Sequence, residues 1–279
     1  MPDMPRFPLR LVAGSLLVVA ASQAHALSNW YFNPQGTGFV DAIGVSELNL
    51  GGYGFIEQSF SGDFLQPLAF EEHGAYELMP PAGVTTLPAA DITVTYEMAG
   101  QAGLFGANFS SSLISIYSDS NFDFGSTNGT FGADNGQLIA QFEIVGGSVS
   151  LVPLRATLEA SLVDGSMASG YFFDVYGNDL AGVTGLGLNL DVASQFIYTR
   201  DGNIVSELAC DYAGFTGPGC NGSSYHPSFI MAYATVQDAA TATLTYNGSA
   251  PIVAVPEPTS ALMMIAGLLG IGAMRRFRR

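Results

Sequence analysis

Apolar and polar residues alternate over short segments along most of this chain, and glycine, asparagine or aspartate stops each segment before a helical period develops. Ile92-Thr93-Val94-Thr95-Tyr96 is the clearest strand pattern, and Leu113 to Tyr117 is a more apolar one. Leu138 to Ile144 and Val149 to Val152 flank Gly146-Gly147, which predicts a bend or bulge. Ala156 to Val163 ends at Asp164-Gly165, a tight-turn pair. Tyr171 to Val175 and Leu186 to Val192 continue the series. Phe196 to Thr199, Asp201-Gly202 and Ile204-Val205 predict a hairpin, and Ser228 to Val236 with Ala242 to Tyr246 a last pair of strands. The 34 glycines would penalise helices further. No repeat of fixed period is present. The expectation is an all-β fold, an antiparallel β-sandwich or jelly roll, built as one body over residues 27–250.

Charge narrows the function classes. The chain has no lysine, and only Arg155 and Arg200 fall between Leu27 and Ala254, whereas all acidic residues except Asp3 and Glu257 do. A body near −20 repels nucleic acid, whose binding depends on basic side chains neutralising phosphate. No glycine-rich loop is followed by lysine, so phosphate-transfer chemistry is not expected either.

Each end carries a transport signal. Arg6 and Arg10 precede an apolar stretch from Leu11 to Ala21, followed by Ala24-His25-Ala26. This is the order of a secretory signal peptide over 1–26, with Ala24 and Ala26 as the small residues at the cleavage site. The only cysteines, Cys210 and Cys220, lie in the exported body, where an oxidising compartment favours a structural disulfide. At the other end a linker over 251–258 finishes in Pro256-Glu257-Pro258. A single transmembrane helix is expected over 259–274, 16 residues or about 24 Å of helix. Arg275, Arg276, Arg278 and Arg279 then form a basic stop, kept cytoplasmic by the positive-inside rule.

Pro-Glu-Pro, apolar run and arginine cluster, in that order, resemble the PEP-CTERM sorting signal that exosortase enzymes process. The resemblance implies transient insertion in the inner membrane, processing by an exosortase, and a final place at the cell surface or in the extracellular matrix. Proteins with this signal usually accompany exported polysaccharide, which implies an exopolysaccharide partner in biofilm or floc. The run Trp30-Tyr31-Phe32-Asn33-Pro34, continued by Gly36-Thr37-Gly38-Phe39, is similar to openings of flocculation-associated PEP-CTERM proteins. Trp30 itself has two readings, a core anchor for the first strand or an exposed platform for stacking sugars.

Catalytic patterns are sparse. No Gly-x-Ser-x-Gly elbow is present, and of the body's histidines His73 and His226 neither has a partner at metal-binding spacing. The expectation is a protein that is not an enzyme. Its rival is a secreted hydrolase acting on matrix polysaccharide, which needs two facing carboxylates; Glu47, Glu57, Glu71, Glu72 and Glu97 are available without a spacing that singles out two. No cofactor is expected. Asp119, Asn121 and Asp123 place oxygen ligands at alternate positions as calcium requires, but glycine falls one place late for an EF-hand and Thr130 stands at position twelve. The simpler reading of that segment is a turn in which Asn and Asp satisfy their own backbone.

Overall fold

Leu48–Ser59 and Tyr233–Tyr246 are far apart in sequence, yet they pair side by side and close a sheet into a barrel. The structure, a computed structural model, describes residues 25–26, 30–59, 67–80, 90–103, 106–126, 130–151, 154–197, 205–224 and 233–246. In chain order the strands are β1 (His25–Ala26), β2 (Trp30–Phe32), β3 (Ile43–Val45), β4 (Leu48–Ser59), β5 (Leu68–Leu78) and β6 (Asp91–Gly103). They continue as β7 (Gly106–Asp119), β8 (Gln137–Leu151), β9 (Leu154–Leu162), β10 (Phe172–Phe173), β11 (Leu186–Phe196) and β12 (Tyr233–Tyr246).

Strands β4 to β9, then β11 and β12, pair antiparallel with their neighbours in sequence order. Strand β12 also pairs with β4, from Tyr233 opposite Glu57 to Ala242 opposite Leu48. The result is an eight-stranded up-and-down barrel without free long edges. The all-β, antiparallel expectation is met, and the sandwich or jelly roll is corrected to a barrel. Alternation reports only that one face of a strand is buried, and the wall of a barrel satisfies that as well as the wall of a sandwich. Closure is a long-range pairing that local pattern does not contain.

Individual strands differ from expectation for physical reasons. The bend at Gly146-Gly147 is a register shift inside one strand, β8, rather than a break between two. Of the predicted pair Ser228 to Val236 and Ala242 to Tyr246, residues 228–232 lie outside the described residues and the remainder is one strand, β12, because Asp238 keeps the buried phase of Val236 and Ala240. Residues 198–204 of the predicted hairpin lie outside the described residues, and Val205, expected in its second arm, opens a helical segment, Val205–Tyr212, of π type. Its Val205, Leu208 and Ala209 form one buried face.

Two apolar clusters result. One lines the barrel interior and continues into a cap at one end, where the three-stranded sheet β10-β2-β3 lies. Trp30 stacks on Phe172 there, 5.9 Å between ring centroids, and meets Phe32 edge-on. Trp30 is 1 % exposed, so it is a core anchor and the sugar-platform reading falls away. Asn33 is buried beside it; its amide donates to the Gly38 carbonyl at 2.6 Å and its Oδ1 accepts the Gln35 N–H at 2.9 Å. Gly36, at φ 66°, lies where a Cβ would overlap the Tyr171 ring. The aromatic, Asn and Gly positions of the opening run are thus explained by the cap's own packing.

The second cluster lies outside the barrel. The helical segment packs on Phe55 and Ala75 of β4 and β5, together with Phe131 and Ala133 of the β7–β8 connection. Cys210 and Cys220 are joined by a disulfide in this cover, with Cα atoms 5.4 Å apart. Among the described residues no helix is long and apolar enough to cross a membrane. The expected transmembrane helix at 259–274, the Pro-Glu-Pro motif, the arginine stop and Ala24 lie outside the described residues, whereas Ala26 sits in β1 opposite Thr245.

Candidate functional site: a polar cluster in the barrel cavity

Opposite the aromatic cap the barrel interior is not filled. A cavity of about 90 Å³ remains, walled by Ile56, Phe70, Met98, Phe109, Leu158 and Val192. Most of these residues lie toward the β4–β5, β6–β7 and β8–β9 turns, so the mouth is at that end. Eight strands enclose just enough room for side chains or one small ligand. Arg155 stands at the mouth, where it is exposed.

At the inner end of the cavity four polar side chains meet. The Tyr76 hydroxyl donates to Asp238 Oδ2 at 2.9 Å. The Tyr96 hydroxyl oxygen lies 2.9 Å from Glu72 Oε1 and 3.2 Å from Asp238 Oδ2. The two phenol rings are stacked, 5.0 Å between centroids. A single phenolic proton serves one carboxyl at a time. When Glu72 is protonated, its own O–H donates to Tyr96 and Tyr96 donates on to Asp238.

Three glycines make this reach feasible. Tyr96 is opposite Gly74 in β5, and Gly74 is opposite Gly54 in β4. A Cβ on Gly74 would overlap the Tyr96 ring, and one on Gly54 would overlap its hydroxyl. Tyr76 likewise lies across Gly52, which is opposite Asp238 in β12. Two phenols thus run across bare backbone to reach Asp238, Tyr76 from two strands away and Tyr96 from three.

Electrostatics follow from enclosure. Burial, then the neighbouring charge of Asp238, pushes the Glu72 carboxyl up to about 8, against the pull of the Tyr96 hydrogen bond. Glu72 is therefore protonated at neutral pH. Some of its surface still faces space, and that space is the cavity, enclosed by protein. Burial also raises Asp238, with the Ser194, Tyr76 and Tyr96 hydroxyls opposing. Asp238 is 3 % exposed and its Oδ1 has no hydrogen-bond partner. Burial and the adjacent acids raise both tyrosines well above the usual phenol range.

Apart from Glu72, the candidates named from sequence lie elsewhere. Asp119 is buried at the end of β7; its Oδ1 accepts the Asn121 N–H at 3.0 Å, the self-satisfying turn described above, while its Oδ2 has no partner. Asp123 Oδ2 accepts from Asn135 at 2.9 Å, and Asn121 is exposed. Asp91 lies opposite Asp119, and burial and that charge raise its carboxyl. Among the described residues no group of three or more His, Cys, Asp or Glu side chains is placed to hold a metal ion. His73 is on the outer face of β5, edge-on to Tyr212 at 4.9 Å; burial lowers it, opposed by Glu97 and Glu71. Of the carboxylates considered for hydrolysis, Glu72 alone belongs to the cavity cluster. Asp238, Tyr76 and Tyr96 carry no site signal in the sequence, although each shares the inward phase of an apolar strand face.

Comparison with known proteins adds the other end of the chain. A family model described as a PEP-CTERM protein-sorting motif matches residues 254–279. The chain carries a PEP-CTERM sorting motif. That motif marks an exported chain with a C-terminal membrane-anchoring signal and implies processing by an exosortase. No curated protein and no solved structure matches the chain.

Two outcomes test the cluster. Gly74→Ala, ordinarily favourable inside a strand, should destabilise by about 1–3 kcal/mol through overpacking against Tyr96. Adding Tyr96→Leu should recover part of that loss, read as a non-additive double-mutant cycle in urea unfolding. The second concerns pH. A carboxyl raised in the folded state binds its proton more tightly there than in the unfolded chain, so its contribution is full below about pH 4.5 and is lost as pH rises to about 8. Urea midpoints should fall between about pH 6.5 and 8, above the range of the lowered His73, and Glu72→Gln should flatten that decline.

Proposed function

We propose that this protein is an exported, exosortase-processed component of the cell surface or extracellular matrix, with a non-catalytic role in biofilm or floc formation through exopolysaccharide. The observation that carries this reading is the sorting motif at residues 254–279. A groove of about 540 Å³ beside the barrel mouth supports the sugar contact: Ser59, Gln101, Asn108 and Ser110 line it with hydroxyls and amides, next to the carboxylates of Glu57 and Glu71. Neutral hydrogen-bonding groups of this kind suit uncharged sugars, and the acidic body discourages anionic partners. The rival hydrolase has weaker support, because the cluster containing Glu72 lies within an apolar cavity of about 90 Å³ that no polysaccharide chain threads.

Replacing Pro256-Glu257-Pro258 by alanines should leave the full chain in the inner-membrane fraction while the unaltered chain appears outside the cell. Equal release of both by immunoblot would overturn the processing step. The full chain should co-sediment with extracted matrix polysaccharide without shortening it, and Gln101→Ala with Asn108→Ala should weaken that retention severalfold. Shortened polysaccharide on size exclusion would favour the hydrolase.

A further inference from the structure

The barrel cavity joins features that seldom occur together unless something occupies the space. Its walls are apolar, yet its inner end holds the Glu72 carboxyl and two phenols, and the phenols are hydrogen-bonded to a second acid, Asp238. Asp238, buried with Oδ1 unpartnered, sits directly behind the tyrosines. The groups facing Glu72 come from every side: Tyr76 on its own strand, Tyr96 on β6, Asp238 on β12, Gln58 on β4 and Ser194 on β11. Among those groups there is no cation. The nearest cationic side chain lining the cavity is Arg155, and it is exposed at the mouth.

We propose that the barrel cavity binds a small alkylammonium ligand, with the charged nitrogen at Glu72 beside the stacked pair of Tyr76 and Tyr96 and the apolar body along the cavity walls. Aromatic faces attract cations, most strongly where water is excluded. An ammonium also supplies what the Glu72–Asp238 pair lacks, a positive charge to offset two acids in a desolvated site. An anionic ligand would meet the charge of Asp238. A neutral apolar ligand would fill the walls and leave the acids as they are.

Proton balance makes the idea testable. Glu72 holds a proton at neutral pH. As the ammonium arrives, that proton leaves to solvent, so one positive charge replaces another and the net charge of the site is unchanged. With Glu72 titrating near 8, the apparent affinity for a cation should rise on the order of 20-fold between about pH 6.5 and 8.5. The wider acidic surface would raise the local concentration of cations at the mouth.

The experiment is isothermal titration of the full chain, held in amphipol, with n-pentylammonium, 1-pentanol and pentanoate, matched in chain length. The ammonium should bind at least tenfold more tightly than either control at about pH 8.5, with the stated rise across the pH series. Comparing buffers of different ionisation enthalpy near pH 7 should show about one proton released per ligand. Glu72→Gln should abolish the pH dependence and weaken the ammonium at least tenfold while leaving pentanol unchanged. Binding of pentanoate as tight as that of the ammonium would assign the site to an Arg155-directed anion, and equal binding of pentanol would assign it to neutral apolar molecules. Either result overturns the proposal, as does a flat pH series on the unaltered chain, which needs no variant to fold.

Discussion

The pairing of β4 with β12 is the constraint on which the rest of the structure depends. It runs from Leu48–Ala242 to Glu57–Tyr233 and turns an open meander into a closed wall. The cost falls on β4, whose Gly51-Gly52-Tyr53-Gly54 run is poor strand sequence by propensity. Inside the barrel, Gly52 and Gly54 leave the bare strip across which Tyr76 and Tyr96 reach Asp238. Outside it, Tyr53 and Phe55 pack against Phe131 and Phe215. The seam is therefore held from both faces, by buried hydrogen bonds within and aromatic contacts without.

The barrel is built unevenly along its axis. At one end β2, β3 and β10 supply a cap whose rings join the interior cluster and leave no cavity described there. Toward the other end the inward side chains are spaced around empty volume. Close packing is the rule for protein interiors, and a polar cluster set deep in an apolar void departs from it in the manner of a ligand site. The cover formed by Val205–Tyr212 and the Cys210–Cys220 link lies on the outer wall of β4 and β5, so it stiffens the seam without entering the lumen.

Much of the wall was legible in sequence because period-two alternation is local. β6, β7, β8, β9 and β11 fall where Ile92, Leu113, Leu138, Ala156 and Leu186 begin or continue their patterns. β4 and β5 are not legible in this way, because glycines and acids interrupt their apolar phase for reasons that lie on other strands. Gly74 has meaning only beside Tyr96, and Gly52 only beside Tyr76 and Asp238. The helical cover was faintly visible in Val205, Leu208, Ala209 and Tyr212, a spacing too brief to outweigh the surrounding strand pattern. The cavity cluster shows the same limit. Glu72 follows Phe70 and precedes Tyr76 in phase, and Asp238 lies between Val236 and Ala240, so each could be read as an acid on an apolar face. That the two acids meet is a consequence of closure.

Closure also fixes how the two ends of the protein relate. Strand β12 finishes at Tyr246, opposite Leu186, at the capped end of the barrel. The sorting motif starts at residue 254, only eight residues beyond that strand's end, a reach of at most about 29 Å even fully extended. A membrane-held tail therefore tethers the body by its capped end. Gln58, Ala102 and Ser194, which line the mouth, belong to the far ends of their strands. Anchoring thus leaves the mouth pointing away from its own tether, and removal of the tail changes where the body resides without altering access to the cavity. The strand end that leads to the sorting motif and the cavity mouth thus lie at opposite poles of one barrel, and neither obstructs the other.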